Sequence, residues 1–246
     1  GNMQKSMIEG NTLKLILNFS IPLLLGNLFQ QFYNVVDAAI VGQTLGSYAL
    51  AAVGASSSVQ VLILGFCMGI CQGFAIMVSQ SFGAKKLDEM HTYIYAGAVW
   101  TAITAFVVSI LVVVFCADIL HILQVNDEIF KDAYAYLVVI FAGIPFTLLY
   151  NYLSAILRAI GDSKTPFLFL AFSAFLNIGL DFFCILVLKW GCAGAAIATI
   201  FAQAVSGILC LLLIAFKVNV LHIPKSSRYV DKQHSLKLLA MGVPMG

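Results

Sequence analysis

Residues 30–42, QQFYNVVDAAIVG, place an aspartate, Asp37, inside an apolar run that begins near Leu13. If that run crosses a membrane, a charge near its centre costs about 2.5–3.5 kcal/mol on insertion scales. A cost of that size calls for a functional reason, so the first question is whether the run crosses a membrane. The rest of the chain says that it does. Hydrophobic residues make up 61% of the 246 residues and charged residues only 10%. Soluble domains carry about 25% charged residues, and a soluble core of this size would lack a polar shell. Alternating ten-residue segments are absent, so a β-barrel is not expected. The composition predicts an all-α integral membrane protein.

Six runs are long enough to cross a hydrocarbon core that needs about 20 helical residues. They cover 13–40, 48–80, 93–116, 134–157, 166–188 and 192–216, and a seventh begins near 236. The first run is too long for a signal-peptide core and lacks a small-residue cleavage site, so we expect it to persist as a span. Short polar turns separate the spans, and a longer linker follows the sixth. Strict alternation of sides puts eleven of the 13 lysines and arginines on the side of the N-terminus, and only Lys131 and Lys189 on the other. Positive charge marks the cytoplasmic side, which predicts a cytoplasmic N-terminus in a cell membrane.

LKLILNFSIP, ending at Pro22, returns as LKLLAMGVP, ending at Pro244. An even number of spans between the copies sends both into the membrane from one side, the pattern of parallel repeats. We therefore expect a six-helix lobe over 1–217, a cytoplasmic linker over 218–234, and the start of a second lobe's first helix over 235–246.

Nine of the 11 acidic residues fall in loops or at span ends. Asp37 and Asp181 do not. Each has a polar residue one helical turn earlier, Tyr33 and Asn177, on the same face. Asn27, Gln30 and Asn34 accompany the first pair, Asn151 stands in span four, and Thr199 and Gln203 in span six. Together these groups are expected to line one polar cavity. No lysine or arginine lies at the same depth. The carboxyls must then be protonated, hold a mobile cation, or face water. Burial penalises the charged form and a neighbouring carboxylate penalises a second charge, which suits proton coupling; oxygen ligands also suit Na⁺. The residues leave both ions open.

Pro22 and Pro145 each allow a bend or a static kink. Span six, GCAGAAIATIFAQAVSG, is rich in small residues for close helix packing. The six cysteines read as small packing residues. The four histidines avoid the aspartates. No Ser-His-Asp set, zinc spacing or phosphate-cradling loop occurs, so neither an enzyme nor a nucleic-acid binder is expected, and no cofactor or structural metal.

IPLLLGNLFQQFYNVVDAAIVGQTLGSYALAAVGAS, with SQSFGAKK and RAIGDSKTP, resembles the N-terminal lobe of the multidrug and toxic compound extrusion (MATE) family, over Leu13 to Gly246. The resemblance implies a twelve-helix, two-lobe antiporter, a monomer in the lipid bilayer. It would export small cationic or amphipathic organic compounds against H⁺ or Na⁺ by alternating access. It assigns Asp37 and Asp181 as the cation-coupling carboxylates, with Na⁺ held at them only transiently if at all. Tyr33, Asn177, Asn151 and Thr199 match the surrounding site, and Pro22 the bending proline of the first helix. The nearest rival is a lipid-linked precursor flippase of the same superfamily, which typically lines its cavity with basic residues; here the cavity reads acidic and amide-rich. A purely structural membrane subunit would have no use for two matched intramembrane aspartates.

Overall fold

The computed structural model describes residues 21, 25, 28, 32 and 34–245, all helical or in short connections. Pro22, Asn27, Gln30 and Tyr33 lie outside the described residues. The first helix is described continuously from 34 to 45 (α1), the end of the first expected span. Gly46 follows with φ 95, a conformation that glycine adopts without a Cβ penalty, and the chain reverses into α2, Ser47–Gly83. At 1.5 Å per residue α2 is about 55 Å long, so it outruns a ~30 Å core and must tilt or project.

Helix α3, Leu87–Val114, returns across the bundle and runs into the short α4, Cys116–Ile122. The stretch after span three was expected to be a polar turn. Instead α4 buries Cys116 and Leu120, and α5 begins at Asp127, seven residues before the expected start of span four. The side chain of Asn126 caps it by accepting the Glu128 N–H at 3.3 Å, and Asp127 and Glu128 in the first turn suit the positive helix end.

Span four is not one straight helix. It is a pair, α5 (Asp127–Ala142) and α6 (Ile144–Ala159), bent by 49°. Pro145 lacks the N–H that would bond Phe141. The freed Phe141 carbonyl instead accepts the Ser109 hydroxyl of α3 at 2.7 Å. Gly143 sits at the bend because a Cβ there would meet the Ile200 side chain of α8 at 2.5–2.6 Å. Helix α7, Lys164–Phe182, passes into one wide π turn, Phe183–Val187, directly after Asp181. Helix α8, Gly191–Lys217, completes the lobe.

Four described helices are long and apolar enough to cross a membrane, and the bent pair, taken together as one broken span, has the length and composition for a fifth. Helix α2 packs on α3, α5 and α6, while α8 packs on α5, α6 and α7. The small residues of α8 face inward: Ala195, Ala196, Ala198 and Ala202 are fully buried. All six cysteines are free and buried. Outward faces carry large apolar side chains such as Leu62, Ile110 and Phe175, which a lipid solvent covers without cost.

The connection after α8 is docked rather than loose. His91 contacts the Val220 carbonyl at 2.7 Å and Trp100 donates to Ser235 at 2.8 Å, while Leu221 and Ser227 are buried. Helix α9, Lys232–Met245, then crosses α2 at Gly73, whose missing Cβ leaves room for the Gly242 backbone.

Candidate functional site

A cavity of about 480 Å³ runs along the bundle between α1, α2, α5, α6, α7 and α8. Asn34 and Asp37 face it from α1, Thr147, Asn151, Ser154 and Arg158 from α6, Asn177 from α7, and Thr199 and Gln203 from α8. Residues 147, 151, 154 and 158 share one face because helical neighbours recur every three to four positions. That face meets α8, where Thr147 bonds Gln203. Of the residues singled out in the sequence, Asp37, Asn151, Asn177 and Thr199 therefore share one cavity.

Asp181 does not line it. It stands beside Asp37, close enough for their side chains to interact, but it is fully buried and off the wall. It occupies the last α-helical turn of α7, and the following π turn packs against α8. The expectation that both carboxyls face the cavity is thus corrected: one faces it and the other stands next to the first. Beyond one another, neither Asp181 nor Asp37 Oδ1 finds a hydrogen-bond partner among the described residues. A buried carboxyl without partners is costly in low dielectric. A bound proton or a small cation would remove that cost.

Two short networks brace the wall. The Asn177 amide donates to the Thr199 hydroxyl at 3.0 Å, which donates on to the Ala195 carbonyl at 3.1 Å. The Asn151 amide donates to the Thr147 carbonyl at 2.7 Å, and the Thr147 hydroxyl to Gln203 Oε1 at 2.5 Å. Sequence reading missed Tyr136 and Gln60, which interact with one another on the wall near the aspartates. Gln60 was detectable as an amide in an apolar span, as was Gln72 on the same wall; Tyr136 was not, since a tyrosine in an apolar run reads as core. Arg158 was assigned to a loop. It lies in the last turn of α6 and reaches the cavity wall.

The family model MatE matches residues 22–183. The chain belongs to the MatE family. Among curated relatives, a probable multidrug resistance protein of Bacillus subtilis, YpnP, is 33% identical over 241 residues, 97% of this chain and 53% of the relative. A second from the same organism, YoeA, is 30% identical over 92% of this chain and 50% of its own length. The chain thus spans about half the length of the MatE relatives it matches. Among solved structures it resembles an outward-facing multidrug resistance MATE family transporter, with TM-score 0.87 at 24% identity. It also resembles a MOP superfamily transporter from Pyrococcus furiosus, with TM-score 0.87 at 25% identity, whose description reports a binding pocket of reversed polarity. Each match covers 94% of this chain and 51% of the other. These likenesses support the fold: a multi-pass helical membrane bundle of the MATE type.

Proposed function

We propose that the chain forms the N-terminal six-span lobe of a secondary antiporter. It exports cationic or amphipathic organic compounds in exchange for H⁺ or Na⁺, as a monomer in the cell membrane with its N-terminus cytoplasmic. The observation that carries this reading is Asp37. It faces a cavity of drug-ligand size, it has no basic partner beside it among the described residues, and a second orphaned carboxyl adjoins it.

The mechanism follows from competition for that charge. A cationic compound entering the cavity is attracted to Asp37 and solvated by Asn151, Thr199 and Gln203. When H⁺ or Na⁺ occupies the Asp37–Asp181 pair, the attraction is lost and the compound leaves. The ion's release restores the charge. A site that cannot hold both occupants at once exchanges one for the other, and alternating exposure to the two sides makes the exchange vectorial. Tyr33 and Asn177 would complete the ion site, and Pro22 would let the first helix bend as occupancy changes. No cofactor is required.

The product of the complete reading frame, in cells lacking their own efflux pumps, should expel ethidium when an inward H⁺ or Na⁺ gradient is imposed. Asp37→Asn should abolish that efflux while membrane expression persists. The gradient that drives export names the ion. Wild-type efflux in the variant would sink the reading. No dye export by either protein would put the lipid-precursor flippase first.

A further inference from the structure

The repeated segment LKLLAMGVP makes α9 the opening helix of a second lobe, yet α9 is fastened to the first. Ser235, Leu238 and Gly242 recur every three to four residues and so form one stripe. Ser235, 6% exposed, accepts the Trp100 indole N–H of α3 at 2.8 Å. Leu238 is fully buried. Gly242 meets α2 backbone to backbone: a Cβ on Gly73 would lie 2.8 Å from the Gly242 nitrogen, and a Cβ on Gly242 would lie 2.8 Å from Phe74 Cδ1. The linker before α9 is held on the same side. A carbonyl only accepts, so buried His91 of α3 donates from Nε2 to the Val220 carbonyl at 2.7 Å. The His234 ring stands edge-on to Tyr93 with centroids 4.8 Å apart. From His91 to Trp100 these anchors cover about 14 Å of α3.

Undocking this segment would expose Leu221 and Leu238 and take the acceptors from the His91 imidazole and the Trp100 indole. Away from water nothing replaces those bonds. Past Gly242 the situation reverses. Val243 is 54% exposed. Pro244, inside the helix, lacks the N–H that would bond the Ala240 carbonyl. The backbone is therefore weakest two residues beyond the last anchor. Packed faces move as units, and a few residues between them absorb the change in dihedrals.

We propose that the linker and α9 as far as Gly242 move with the first lobe, so that the seam between the two moving bodies lies in α9 at Val243–Pro244. The polar linker is a strap fastened to α3, not the flexible tether that its composition suggests. The proposal rests on the two-lobe transport reading above and adds where that machine flexes.

Glu89 and His234 line one small cavity of about 330 Å³ between α3 and the start of α9. In the complete protein a short thiol-cleavable bismaleimide can therefore bridge Glu89→Cys to His234→Cys. The six native thiols are buried, and each single-cysteine variant is the control. Bridging should cause no loss of ethidium efflux. Efflux lost on bridging and regained on cleavage would overturn the proposal, because α9 would then have to leave α3. Pro244→Ala, which restores the N–H, should slow efflux several-fold, and Pro244→Gly should not; equal rates in the two variants count against a seam at Pro244. Hydrogen exchange of the purified wild-type protein reads the same boundary without transport. Amides 236–242 should exchange at least about tenfold more slowly than those following Pro244. Equal rates, or faster exchange before Pro244, overturn the proposal. An exchange step at Pro244 in a protein that expels no dye keeps the seam and refutes the cation-export reading.

Discussion

Gly143 is the point at which the bend that shapes the cavity wall can be attacked with one methyl group. Its dihedrals, φ −87 and ψ 3, are open to any residue, so Gly143→Ala introduces no backbone strain. In a helix interior the change would stabilise by about 0.5–1 kcal/mol. Against that, the new Cβ would lie 2.5 Å from Ile200 Cγ1 and 2.6 Å from Cγ2. Those atoms branch at Cβ and have little rotamer freedom on a helix. They cannot swing aside, so α8 must move away from α5–α6, at about 1–3 kcal/mol for overpacking. The steric cost exceeds the propensity gain, and a net loss of roughly 1–2 kcal/mol is expected. Ile200→Ala removes the obstructing atoms. In the double variant the Gly143→Ala methyl should be tolerated, giving a favourable coupling of at least about 1 kcal/mol in a double-mutant cycle. The assay is denaturant unfolding of the complete protein in mild detergent, followed by helix signal and repeated with dye efflux. Both readouts should fall in Gly143→Ala, whereas adding Gly143→Ala to Ile200→Ala should cause no further fall. A neutral Gly143→Ala, or single effects that merely add, would refute the contact and with it this account of the bend.

Two further outcomes follow from the geometry. Ser109→Ala should cost about 1 kcal/mol in the same unfolding assay, because it leaves the Phe141 carbonyl unpaired beside Pro145; Ser109→Thr, which keeps the hydroxyl, should recover much of it. The Asp231 carboxyl, at the start of α9, is held below its ordinary range, chiefly by the His234 N–H at 2.8 Å. Its contribution to docking of the linker is therefore present above pH about 4 and is lost as pH falls through the lower folded-state value. Limited proteolysis of residues 218–231 should accelerate as pH drops from 6 to 3, and Asp231→Asn should flatten that profile; an unchanged profile would count against the contact.

The membrane class was legible in composition, because a chain with so little charge has no other solvent to fold in. The intramembrane aspartates were legible for the same reason: in an apolar run a carboxylate is conspicuous, and residues one helical turn apart must share a face. Asn151, Asn177 and Thr199 were found as polar residues in apolar helices, although which cavity they enter depends on helix packing. Pro145 marked a site where a bend was allowed. Whether it bent, and by 49°, was decided by Ser109 on another helix taking the freed carbonyl and by Ile200 packing on Gly143. The placement of Asp181 beside the cavity rather than in it was not announced by spacing, since Asn177, one turn earlier on the same helix face, does line it. Arg158 shows the limit most plainly. One-dimensional hydropathy puts it at a span end, where cations belong, and only the convergence of α2, α6 and α7 makes it part of the cavity wall. Periodicity determines which residues share a face; tertiary packing decides what that face meets.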